Sequence, residues 1–242
     1  IQIWKEYTDQ IEISIINPSG VRVGPVPEIL GPHRFRIGQT EILLYYGEPS
    51  PYSISQEIYI DLLPVESYLT EGIWRIVLSA GKIVTGQYEM WLPSDNVLNR
   101  GTGFLFPTDA TTLTIPSSSS RAISVGAYDA RTFAYADFSG RGFTRLTNMV
   151  KPDLVAPGVE VMTTTVGGGY AAFTGTSFAT PFVTGSAALL MEWGIVKGND
   201  QYMYGEKLKA YLINGATRVG NVWPDSARGW GELCVAASIP VK

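Results

Sequence analysis

The sequence predicts an α/β protein in which a β-sandwich domain, residues 1–100, is joined to a domain of alternating strands and helices, residues 101–242. Three observations carry this. Up to Pro93 the chain consists of short β-type runs cut by turn residues, the spacing expected of a sandwich. Beyond residue 116 strand-like and helix-like patterns alternate. Residues 175–194, "GTSFATPFVTGSAALLMEWG", form the clearest helical stretch of the sequence.

Taken in order, "IEISII" alternates apolar and polar residues before the turn signal Asn17-Pro18-Ser19-Gly20. "EILLYYG", "SQEIYIDLL", "GIWRIVLSAG" and "VTGQYEMWLP" follow at short intervals, and no convincing helix interrupts them. Trp74 and Trp91 are expected on adjacent strands joined by a turn at Ser79-Ala80-Gly81-Lys82, with Trp4, Trp74 and Trp91 filling the space between sheets. This stretch resembles the closing strands of jelly-roll domains attached to secreted proteases. Residues 94–116 read as a connection rich in Gly, Thr and Pro, ending in the strand-like "TLTI". "AISVGAY" reads as a buried strand, "VKPDLVAPG" as a loop with two prolines, and "VEVMTTTV" as a further strand. A second helix is expected over "EKLKAYLINGA", where Leu208, Tyr211 and Leu212 share a face.

Composition narrows the function classes. Apolar residues make up 45% of the 242 and charged residues 17%, a balance that suits packed domains and argues against disorder. A formal charge of −4 leaves no basic footprint, so neither nucleic acid nor a membrane surface is an expected partner. The longest apolar run, 182–193, falls short of the roughly twenty residues that span a bilayer. The single Cys234 excludes an internal disulfide and reads as a small buried hydrophobe. The chain opens on "IQIWKEY" with no initiator methionine, so a natural start upstream is expected.

Ser177 draws attention because of its setting. Pro181 is tolerated in a helix only near its beginning, which places Ser177 at the helix N-terminus. There the unpaired backbone N–H groups and the positive end of the helix dipole can stabilise an oxyanion. Ala179, Thr184, Gly185, Ser186, Ala187 and Ala188 are small, and apolar residues occur all round, so the helix is expected to be buried on every side. On these residues alone a simple N-cap serine and a nucleophile are equally compatible with the pattern.

"GTSFATPFVTGSAALL" resembles the nucleophile motif of the subtilisin-like serine proteases: Gly175, Thr176, Ser177, Ala179, Pro181, Val183 and Gly185 match, with Phe182 standing where histidine is often found. "AISVGAYD", "ADFSGRG", "KPDLVAPGVEVMTTTVGGGYAAFTGTS" and "GWGELCVAAS" are similar to that family in the expected order. The likeness covers roughly residues 117–242 and implies a partial subtilisin-like parallel-sheet domain with an inserted jelly roll, an arrangement similar to that of clostridial spore-germination proteases. It implies a Ser-His-Asp mechanism on peptide or protein substrates, with Ser177 as nucleophile and Gly175 and Thr176 forming part of the substrate-binding wall. It also implies a secreted or spore-associated bacterial protein.

In that family the aspartate, histidine and oxyanion-hole asparagine precede the serine. His33 is the single histidine here. Its context "LGPHRFR" lacks the family's histidine–glycine signature, and it reads as an exposed turn residue. The base is therefore expected upstream of residue 1, leaving this piece inactive alone and prone to associate with the missing amino-terminal part or another copy. Two other readings stay open: a pseudoprotease acting as a binding or regulatory protein, and a sandwich that binds sugar or protein with the α/β part as scaffold.

Other motifs carry less. Ser79-x-x-Lys82 and Ser94-Asp95-Asn96 imitate the β-lactamase pair but lack K-T-G and the helix start that this chemistry needs. Gly167-Gly168-Gly169 has no lysine for phosphate and reads as a turn. No cofactor is expected; one histidine and one cysteine cannot make a zinc site. Asp129, Asp137 and Asp153 could contribute to a calcium site, but their spacing shows no recognised calcium loop, and they read as solvated or capping residues.

Overall fold

The computed structural model describes residues 1–94 and 97–240, so the Asp95-Asn96 part of the S-D-N match lies outside the described residues. The chain forms two compact units, Ile1–Leu105 and Phe106–Lys242.

The first unit holds two antiparallel sheets. One has the order β4-β5-β6-β1-β8, from β1 (Gln2–Glu6), β4 (Gly31–Ile37), β5 (Thr40–Tyr46), β6 (Ser55–Pro64) and β8 (Tyr88–Trp91). The other has the order β3-β2-β7, from β2 (Ile11–Ile16), β3 (Arg22–Val26) and β7 (Arg75–Ala80). Alternation builds the interior: Ile42, Leu44 and Tyr46 point inward from β5, Ile13 and Ile15 from β2, Ile58 and Ile60 from β6, all in one buried cluster. Each such side chain removed from water contributes roughly 1.5–3 kcal/mol.

Several expectations are corrected in this unit. β7 and β8 do not form a hairpin, because β7 pairs with β2 and β8 with β1. The crossing between sheets is fastened by Asp9, whose buried carboxylate accepts from the N–H groups of Val84 (2.6 Å), Thr85 (2.9 Å) and Gly86 (2.7 Å). Those three donors hold its pKa below the usual carboxylate range. Beside it the buried Lys5 ammonium donates to Asp9 O at 2.6 Å and pairs with Glu28 at 3.2 Å. Of the three tryptophans only Trp74 packs against the core; Trp4 and Trp91 share the register of Gln2, opposite the inward Ile3 and Met90. His33 is a strand residue, not a turn residue. It sits half-buried in β4, its ring stacked over Phe35 and edge-on to Tyr46, with Nε2 2.7 Å from Ile29 O. Proline and glycine on either flank hid that strand.

The second unit centres on a three-stranded sheet in which β9 (Val125–Asp129) pairs in parallel with β11 (Leu154–Pro157) and antiparallel with β10 (Ala134–Tyr135). β11 lies inside "VKPDLVAPG", which the prolines had marked as a loop, while "TLTI" forms no strand. The hairpin of β12 (Val161–Thr164) and β13 (Tyr170–Phe173) turns through Gly167, Gly168 and Gly169, at φ 85°, 97° and 88°. The main helix, α1 (Thr176–Met191), runs into a π-helical turn, Glu192–Val196. The core of this unit is a separate cluster that includes Leu154, Ala156, Val183 and Leu190; α2 (Gly205–Asn214) adds Leu208 and Leu212 to it, with Tyr211 packed beside them, and a single turn, α3 (Val235–Ser238), follows the half-buried Cys234.

Burial of α1 on all sides is also corrected. A stripe at Ala179, Val183, Ser186 and Leu190 is buried, and the helix packs on β9 and β11. On the other side Phe182 is 43% exposed and Leu189 50%. The reason is the small sheet, which covers one face of the helix only. The helical run Thr176–Val196 has the length and composition of a membrane-crossing segment. Its buried stripe against β9 and β11 instead ties it into a globular core.

Candidate active site

Backbone geometry sets the position of Ser177. β11 ends at Pro157, and the next residue, Gly158, accepts a hydrogen bond from the Gly175 N–H at 2.8 Å through its carbonyl. A Cβ on Gly158 would stand 2.6 Å from Ala127 Cβ and 3.1 Å from Gly175 O, so the absence of a side chain lets the elbow before α1 seat on the sheet. Gly175 itself lies at φ 152°, ψ 159°, a region that essentially only glycine occupies. Its carbonyl accepts from the Phe178 N–H at 3.0 Å, and the helix starts there.

Ser177 falls in the first turn of α1 and is exposed, and no described residue hydrogen-bonds its hydroxyl. The helix start carries no side-chain cap and no acidic residue in its first turn. Its orphan N–H groups are thus left to whatever anion reaches them. Thr176 is half-buried and lines a cavity of about 350 Å³ together with Asp109, Ser124, Asp137 and Arg141. Arg141 is ion-paired with Asp109 and stands 4.9 Å over the Tyr135 ring. Phe178 stacks on Phe173 at the end of β13, ring centroids 5.3 Å apart and 17° between planes.

At the other end of β11 lies a buried ion cluster. Asp153 binds Lys151 at 2.6 Å and Lys209 at 2.8 Å, and it also accepts from the Ser124 N–H at 2.8 Å. The two ammonium groups donate further to the carbonyls of Ala122 and Ser120, which ties α2 and the approach to β9 onto β11. Burial pushes the Lys151 ammonium pKa down. One carboxylate faces two ammoniums, so removing Asp153 would strand both buried cations.

Gly175, Thr176 and Ser177 therefore occupy one elbow. His33 belongs to the other unit and is engaged with Ile29 O. Asp129 is taken by Arg131 at 3.2 Å and Asp153 by the two lysines, and among the described residues no three His, Cys, Asp or Glu side chains form a metal-binding group. Sequence reading missed Gly158, the Phe173–Phe178 stack and the Lys151–Asp153–Lys209 cluster. A glycine directly after a buried apolar run was the available signal for the first.

Known proteins give this geometry a context. The curated minor extracellular protease Vpr of Bacillus subtilis (strain 168) is 32% identical over 118 residues, covering 43% of this chain and 13% of Vpr. Subtilisin BL of Lederbergia lenta is 36% identical over 112 residues, covering 46% of this chain and 36% of its own length. Among solved structures, the CspB protease of Clostridium perfringens superposes with a TM-score of 0.90 at 36% identity, covering 98% of this chain and 50% of that one. The chain thus spans half or less of each of these relatives. The sequence profile of the Subtilase family matches residues 75–231, taking in β7 and β8 as well as the unit that holds Ser177. With nearly two-thirds of its length in that match, the chain belongs to the subtilase family.

Proposed function

We propose that this chain is the nucleophile-bearing portion of a serine endopeptidase. Ser177 Oγ attacks the scissile carbonyl, and a histidine from a part of the protein outside these residues takes its proton, held by an aspartate from the same part. The first-turn N–H groups of α1, with an asparagine from that other part, stabilise the oxyanion. Gly175 and Thr176 form one wall for the substrate peptide. The single observation that carries this reading is an exposed, unbonded serine hydroxyl at the uncapped start of α1, inside a subtilase match. The sandwich of the first unit is read as a jelly roll inserted into the catalytic domain. The 242 residues alone hydrolyse nothing, because the histidine they contain is occupied within β4. The extracellular nature of a relative such as Vpr supports a secreted protein, and the sequence likeness to clostridial spore-germination proteases extends that reading to a spore-associated one.

Covalent labelling of the intact protein by an active-site phosphonate tests this. The wild type is expected to label at Ser177, and Ser177→Ala to lose both labelling and turnover by on the order of a million-fold, about 8 kcal/mol, the loss known for subtilisin's own serine. Labelling that persists in Ser177→Ala overturns the assignment. Absence of labelling in the wild type would favour a binding or regulatory role instead.

A further inference from the structure

We propose that Phe178 is a positioning residue for Ser177, acting through its stack on Phe173; the proposal rests on Ser177 being the nucleophile. A helix start used to bind an anion cannot also be capped, since a capping side chain would occupy the same N–H groups. α1 meets that condition, with Gly175 at its N-cap and no side-chain hydrogen bond there. The first turn must then be restrained from the side.

Beyond the buried Ala179 and the Thr180 hydroxyl, which donates to Thr176 O at 3.0 Å, the restraints on that turn are few. The Gly175 N–H is anchored to Gly158 O, but Gly175 is the residue with the widest backbone freedom in the elbow. Phe178 lies outside the buried stripe of α1, and its ring meets Phe173 across the elbow. Phe173 in turn is fixed in β13 by its pairing with Val161, and the base of the hairpin is closed where the Glu160 N–H donates to Thr174 Oγ1 at 3.0 Å. The two rings thereby join the last residue of β13 to the residue that follows Ser177. Ser177 thus lies between the anchored Gly175, two residues before it, and the stacked Phe178, directly after it. Losing the stack lets the first turn rotate about Gly175, which moves the hydroxyl and the orphan N–H groups together.

The test uses the intact protein with a peptide substrate and the phosphonate. Phe173→Ala, Phe178→Ala, the double variant and the milder Phe173→Leu are compared with Phe173→Tyr, which keeps the stack. The alanine variants and Phe173→Leu are expected to lose roughly ten- to a hundredfold in kcat, the scale of an ångström-sized misplacement, with KM nearly unchanged. Phe173→Tyr should retain near wild-type kcat, and the double variant should lose no more than the worse single one, because the rings act as a pair. Wild-type kcat in Phe173→Leu, an additive double variant, or losses that only follow the fall in folded fraction would each overturn the proposal. Should the alanine variants fail to fold, the Leu and Tyr pair still decides it. Labelling of Ser177→Ala, measured alongside, separates failure of this inference from failure of the nucleophile assignment.

Discussion

Gly175 carries a conformational demand that no other residue type meets cheaply. At φ 152° and ψ 159° a side chain at this position is strained, although the space around a Cβ is ordinary, the nearest ring atom being Phe178 Cδ2 at 3.6 Å. Gly175→Ala is therefore expected to destabilise the second unit through backbone strain, by about 1–3 kcal/mol, seen as a lower urea midpoint at unchanged slope. An unchanged midpoint would mean that the elbow relaxes freely. Ser177 is the opposite case: exposed and unbonded, it contributes little to folding, so its replacement should be silent in the same measurement. Strain sits beside Ser177 and not on it.

Among elements, the crossing from β7 to β8 takes three of its hydrogen bonds from one side chain. Asp9 accepts three backbone N–H bonds from residues 84–86, which lowers its pKa in the folded chain relative to about 3.9 when unfolded. A carboxylate shifted in this direction favours folding fully above the unfolded value, and the contribution fades as pH falls through the lower folded one. Acid titration of the first unit should show that limb below about pH 4, and Asp9→Asn should remove it; a variant that keeps the wild-type acid limb would exclude Asp9 as its origin. Such elements were unevenly legible in the sequence. β2, β5 and β6 announce themselves by alternation, and α1 and α2 by period and by Pro181 near a helix start. β4 and β11 do not, because proline and glycine at their ends imitate loops, and a four-residue parallel strand with three consecutive buried residues carries no period at all. The Trp74–Trp91 hairpin was not legible, because adjacency in sequence is not adjacency in a sheet: the long-range pairings of β7 with β2 and of β8 with β1 decide otherwise. The serine, its glycine and the helix start were legible together, since all three lie within consecutive residues; the ion cluster joins positions 151, 153 and 209, and no local pattern reveals it.

At the scale of the whole molecule, the second unit leaves several large apolar side chains exposed. Phe106 is 95% exposed and Ile115 90%, in addition to Phe182 and Leu189 on α1. The 242 residues by themselves are expected to self-associate in sedimentation as concentration rises, and to return to a smaller species when a complementary portion of the protein is supplied; a clean monomer at high concentration would contradict this. The direction of the chain through the interior has one more effect. Four residues of β11 separate the carboxylate shared by two lysines from the carbonyl that holds the elbow. A strand rises about 3.3 Å per residue and hardly stretches, so this span behaves as a short rigid rod. A change of charge at its far end is therefore expected to be felt at its near end, beside Ser177.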